Sequence, residues 1–123
     1  MIRSIALSSF VVVLLAACGG DKGGGGDAEA VAEANKVWQE RCVTCHGNNG
    51  KGDGPGAAAL AVKPRSFSDP TWQASVDNER IKKVIVEGGA SVGLNEAMAP
   101  NPDLQGKDAV LSELVTKIRK QVQ

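Results

Sequence analysis

The stretch Cys42-Val43-Thr44-Cys45-His46 constrains this chain more than any other. At the end of a helix, cysteines three positions apart stand on one face, so their sulfurs can grip one edge of a flat molecule. His46 follows at once, and the turn there can aim an imidazole at the same object from the same side. The preceding residues predict that helix. Ala28 to Arg41 is rich in Ala, Glu and Gln, and Ala30, Val31, Ala34, Val37 and Trp38 fall at helical spacing. Asp27 fits an N-cap. A thioredoxin-like Cys-x-x-Cys sits instead at a helix N-terminus after a strand. A closed zinc site needs about four N or S ligands, whereas this chain offers one histidine and one further cysteine, Cys18. A plain structural disulfide between Cys42 and Cys45 leaves His46 incidental.

C-x-x-C-H is the attachment signature of c-type haem, and the composition agrees with it. Beyond the N-terminal stretch the aromatics are only Trp38, Phe67 and Trp72, with no tyrosine. Small domains bury proportionally little surface and usually lean on a staple or a cofactor. One covalently held haem c would supply the missing apolar bulk. His46 would be its proximal iron ligand, its other ring N–H donating to a carbonyl. With no second histidine, a bis-histidine iron cannot form within the chain. Apart from Met1 the only thioether is Met98, in a long loop with Pro100 and Pro102. Met/His ligation suits electron transfer. The competing reading leaves Met98 off the iron and the sixth position open to a small gas.

The rest of the chain reads as helices and loops. Gly47 to Gly56 holds five glycines and Pro55, so it is loop. Ala57 to Val62 can make a short helical segment, and Lys63 to Pro70 is irregular. Asp69-Pro70 can cap and start one turn through Trp72. Asp77 can cap a further helix with Ile81, Val84 and Ile85 inward and Gly88 as its stop. Gly89 to Gly106 is a long loop, a feature usually functional in a small domain. A last helix is expected over 107–121, with Val110, Leu111, Leu114, Val115, Ile118 and Val122 as its apolar stripe. No convincing strand and no repeat is present, which predicts an all-α domain over residues 28–123.

Residues 1–17 do not belong to that domain. Arg3 precedes an apolar run from Ile5 to Leu15, the layout of a signal peptide, and the run is too short to span a bilayer. Leu15-Ala16-Ala17-Cys18 resembles the lipobox of bacterial lipoproteins, which implies a lipid on the Cys18 sulfur. Several acyl chains anchor a protein stably where one does not. Residues 18–27, CGGDKGGGGD, then read as a flexible tether. Arg3 is the only charge in the leader, so 13 of the 14 Lys and Arg remain against 14 Asp and Glu. That balance offers no basic face for nucleic acid.

With these residues in view, the domain resembles the class I mono-haem cytochrome c family over nearly all of residues 30–120. Trp38 and Ala34 match that family's N-terminal helix, and Leu114 and Lys117 match the C-terminal helix that crosses it. Lys117 stands where the family often has an aromatic. Pro55 matches the proline whose carbonyl accepts from the ligand histidine. Met98 matches the distal ligand, although Met98-Ala99-Pro100 replaces the family's frequent Met-Pro. Arg65 and Trp72 lie in segments like those near the haem propionates, and arginine pairs bidentately with carboxylates. The resemblance implies a small cytochrome c fold of three to five helices around one haem. It also implies a one-electron carrier rather than an enzyme. Its expected place is the periplasmic face of a bacterial membrane, held by Cys18. Its expected redox partners are a quinol-oxidising complex, a terminal oxidase or a periplasmic reductase. The alternatives are a haem subunit of a larger oxidoreductase and a gas-sensing module.

Overall fold

Asp27 opens the first helix as expected, its carboxylate accepting from the Glu29 N–H at 3.1 Å. The computed structural model describes residues 27–121. The leader, Cys18 and all of the tether but Asp27 lie outside the described residues, as does Val122. Helix α1 (Ala28–Val37) runs into a π-helical turn, Trp38–Cys42, and then into α2 (Val43–His46). The Val43 N–H reaches back to the Trp38 carbonyl, the i→i+5 bond of a π turn. This wide turn re-phases the helix just before the two cysteines, so they face a different way from a straight continuation of α1. The spacing pattern gave no sign of it.

Two more capped helices follow. The Asp69 carboxylate accepts from Thr71 N–H at 2.9 Å and Trp72 N–H at 3.2 Å, with Pro70 starting α3 (Pro70–Ser75). That helix runs three residues beyond the single turn through Trp72 that the sequence suggests. Asp77 accepts from Arg80 N–H at 2.7 Å and starts α4 (Asn78–Glu87), which ends at Gly88 with φ +79°. Helix α5 spans Asp108–Arg119. The expected segment after the glycine loop is a 3₁₀ turn, Pro55–Ala59, and two further 3₁₀ turns punctuate the long loop. No strand occurs among the described residues, and the domain is all-α.

The core forms where α1 crosses α5. Ala34 and Leu114 are each 1 % exposed there, a small residue opposite a large one. Val110, Leu111, Val115 and Ile118 complete the α5 stripe, and Ile81 and Ile85 bring in α4. Each such aliphatic side chain contributes about 1.5–3 kcal/mol by leaving water. Leu104, from the long loop, is 0 % exposed and plugs the same core.

Candidate functional site

The carbonyls at the end of α2 set the local problem, since a helix leaves its last carbonyls without helical partners. The glycine loop supplies donors. Gly47 N–H binds the Val43 carbonyl at 2.9 Å, Gly52 N–H that of His46 at 2.9 Å, and Gly54 N–H that of Cys45 at 3.1 Å. Gly54 lies so close to the backbone of Val43 and Thr44 that a Cβ there would collide with both carbonyl oxygens. The glycines therefore let one loop wrap the end of the C-x-x-C-H helix and fix His46.

Cys42 and Cys45 are free and half-buried. Burial pushes the Cys42 thiol up to about 11, with neighbouring Arg41 pulling weakly the other way. A thiol held protonated at neutral pH lacks the thiolate that disulfide exchange requires. The His46 imidazole stacks on Phe67, with ring centroids 4.6 Å apart and planes 17° from parallel. Burial lowers its pKa, opposed by the ring's hydrogen bonding to the Arg65 backbone carbonyl, so the neutral, metal-binding form prevails at pH 7. Its Nδ1 is buried without a well-formed hydrogen bond.

These residues line a cavity of about 750 Å³, within the range of cofactor sites. Cys42, Cys45, His46 and Met98 all border it, as do Arg65 and Trp72. Much of its wall is apolar, from Trp38, Phe67, Ile81, Ile85, Leu114 and Ile118. Every formally charged side chain on it, Arg41, Lys63, Arg65 and Arg80, is basic. A large flat apolar group with anionic substituents and an iron for His46 fits this chemistry. Pro55 is exposed and starts its 3₁₀ turn outside the cavity lining.

Met98 is placed by backbone contacts. Its carbonyl accepts from Gly89 N–H at 2.8 Å, and its own N–H donates to the Asn95 carbonyl at 3.2 Å. A Cβ on Gly89 would run into the Asn95 carbonyl oxygen, and one on Gly88 would come within 2.9 Å of the Met98 oxygen. Gly88, read from sequence only as a helix stop, and Gly89, read only as the start of the long loop, thus also admit the Met98 loop.

Sequence reasoning missed several residues around the site. The Gln73 amide donates to the carbonyls of Phe67 at 2.8 Å and Ile118 at 3.0 Å. Arg119 clamps Gln73 in turn and reaches the Val76 carbonyl at 2.7 Å. Together they pin the Phe67–Trp72 wall to α5. Arg80 borders the cavity while donating to the Val92 carbonyl at 2.8 Å. These contacts join residues far apart in the chain, and no local pattern marks them.

Five helices folded around a cavity that carries C-x-x-C-H define a small all-helical haem protein. The family model for cytochrome c matches residues 31–116, and the chain belongs to that family. It binds haem c covalently, Cys42 and Cys45 fitting the attachment motif, and its chemistry is haem-based electron transfer. No curated protein matches the chain significantly.

Proposed function

We propose that the protein is a one-electron carrier with His46 and Met98 as axial ligands, tethered through a lipidated Cys18 to the periplasmic face of a bacterial membrane. One observation carries the ligand assignment. The chain's only histidine and its only methionine besides Met1 border the same cavity. Cys42 and Cys45 would hold the haem by two thioethers. The bound group supplies a site where a single electron is taken up and given back. The protein's part is to keep water and competing ligands off the iron and to balance charge. Arg65 and Trp72, both on the cavity wall, are the donors we assign to propionates, and the Pro55 carbonyl is the acceptor we assign to His46 Nδ1. No bond-making catalysis is assigned to the chain.

The tether reading draws on Leu15-Ala16-Ala17-Cys18 and the glycine run after it. No helix among the described residues is long and apolar enough to cross a membrane. The partners we expect are a quinol-oxidising complex, a terminal oxidase or a periplasmic reductase, met in small transient encounters.

The test is Met98→Ala in the holoprotein. The reduction potential should fall, the ferric sulfur-to-iron absorption band should vanish, and the ferrous protein should take up carbon monoxide rapidly. A native protein that already binds carbon monoxide rapidly and stoichiometrically would instead be a gas-binding module. Mass spectrometry of the mature N-terminus decides the tether, and an unmodified Cys18 refutes it. Purification from the native membrane decides the free carrier, which a stable co-purifying catalytic subunit refutes.

A further inference from the structure

The loop that carries Met98 rejoins the body of the molecule at Asn101. The Asn101 N–H points at the carbonyls of Ile85 at 3.2 Å and Val86 at 3.0 Å, and its Nδ2 donates to Ile85 at 2.9 Å. Its carbonyl accepts from the Leu104 N–H at 3.0 Å, and its side-chain Oδ1 accepts from Arg41 Nη1 at 3.2 Å. The same nitrogen donates to Asp103 Oδ1 at 2.8 Å. Arg41 directly precedes Cys42. One guanidinium therefore joins the helix that carries the attachment cysteines to the stem of the loop that carries Met98, across 60 and 62 residues of sequence. Between the loop's other tie, at Gly89, and Asn101, no side chain is fully buried, and Met98 is only half-buried. The ends of the loop hold it far more than its middle does.

We propose that Arg41 is a positioning residue for Met98, acting through Asn101 and Asp103 to set how readily Met98 gives way to an incoming ligand. This rests on the reading of Met98 as the distal ligand. For Met98 to leave, its loop must swing away from the cavity, and the swing strains the stem at Asn101–Asp103. While Arg41 holds that stem to the attachment helix, the swing is opposed. Without Arg41 the stem keeps its bonds to α4 and its local turn to the buried Leu104, but loses its tie to the attachment helix. The pair is half-exposed, with side chains 41 % and 52 % accessible, and exposed pairs are individually weak. The expected effect is therefore about two- to fivefold in rate rather than loss of ligation.

The experiment uses ferric holoprotein mixed with imidazole at about pH 8, where the ligand is neutral. Loss of the sulfur-to-iron band is followed by stopped flow up to saturating imidazole, where the limiting rate reports Met98 release. Arg41→Gln should raise that rate about two- to fivefold while the band before mixing is unchanged. Arg41 abuts the attachment motif, so Asp103→Asn, remote from it, is the second variant and should act in the same direction. The double variant should be little faster than the faster single one, because the two share one contact. Glu33→Gln removes a comparable ion pair, Lys107 Nζ to Glu33 Oε1 at 2.6 Å, which does not touch the Met98 stem, and should leave the rate unchanged. Unchanged rates in both single variants would overturn the proposal. So would effects that multiply in the double variant, or a rise no larger than that in Glu33→Gln at matched loss of the helical unfolding midpoint. A wild-type protein without the band, exchanging imidazole as fast as Met98→Ala, would instead remove the Met98 reading and the proposal with it.

Discussion

The crossing of α1 and α5 and the two loops that border the cavity are built on opposite plans. The crossing is apolar and closed, with Ala30, Ala34, Val37 and Trp38 facing Val110, Leu111, Leu114, Val115 and Ile118, all buried. The loops over 47–66 and 89–106 contribute two buried apolar side chains between them, Ala57 and Leu104. They are held by glycine-rich backbone contacts and a few polar clamps. The crossing can thus bury its own surface, whereas the loops must bury theirs against the haem. The two plans meet along one wall, since Trp38, Leu114 and Ile118 of the crossing also border the cavity.

Removing the haem is the largest perturbation available. In a Cys42→Ala/Cys45→Ala protein without haem, the crossing should keep part of its helix while the loops lose their fixed packing. Hydrogen exchange should find the amides of Gly52, Gly54 and Gly89 unprotected and those of α5 exchanging slowest of all. Equal protection in loops and helices of the haem-free protein would break the contrast. Small domains that depend on a cofactor for core volume are marginal without it, so the thermal transition should broaden or vanish.

Leu114→Ala strikes the other region. Leu114 is 1 % exposed, and truncating a buried leucine costs about 2–5 kcal/mol through lost transfer energy and the cavity left behind. Denaturant unfolding of the holoprotein should show that loss and, because Leu114 also borders the cavity, a smaller change in potential, with the sulfur-to-iron band kept. A large shift in potential with little loss of stability would mean that the crossing also serves the site.

The two regions were unequally legible in the sequence for the same physical reason. Periodic apolar spacing and capping aspartates are local signals, so Asp27, Asp69 and Asp77, the α5 stripe and Ala34 could all be read. The C-x-x-C-H motif is local too. The loops gave no such signal beyond their glycines, because what shapes them is long-range: Arg41 with Asp103, Gln73 with Ile118, Leu104 in the core. The π turn at Trp38–Cys42 was also hidden, since it changes the phase of a helix without changing its composition. Among the site residues, the attachment motif and Met98 stood out by scarcity of their types. Phe67, stacked on His46, and Gly89, packed under the Met98 loop, could be found only in three dimensions.

Gly89→Ala probes the loop side without touching a ligand. The added methyl meets the Asn95 carbonyl, a backbone atom that cannot rotate aside. Relief requires the Met98 loop to shift, at about 1–3 kcal/mol by analogy with overpacked cores. The expected signature is a weakened sulfur-to-iron band and faster imidazole capture, with the helical unfolding midpoint reduced by less than in Leu114→Ala. A midpoint loss equal to that of Leu114→Ala would show that the loop and the crossing unfold as one unit.

The smallest effect is a pH dependence that should belong to the loop side alone. The Arg41 guanidinium, hydrogen-bonded to Asp103, holds that carboxyl below its ordinary value of 3.8. A depressed folded pKa means that the stabilisation is complete above the unfolded value and is lost as pH falls through the lower, folded one. The Arg41–Asp103 contact should therefore be intact at neutral pH and fade only below about pH 4. Because the Asp103 side chain is half-exposed to solvent, salt should screen part of its effect. In the wild type the limiting rate of carbon monoxide uptake by the ferrous protein, a ligand that does not titrate, should rise as pH drops through that window. In Asp103→Asn it should already be raised and flat across the same range, since the group that titrates is gone. A rise of the same size in Asp103→Asn would assign the acid response to another carboxylate and detach Asp103 from the control of Met98.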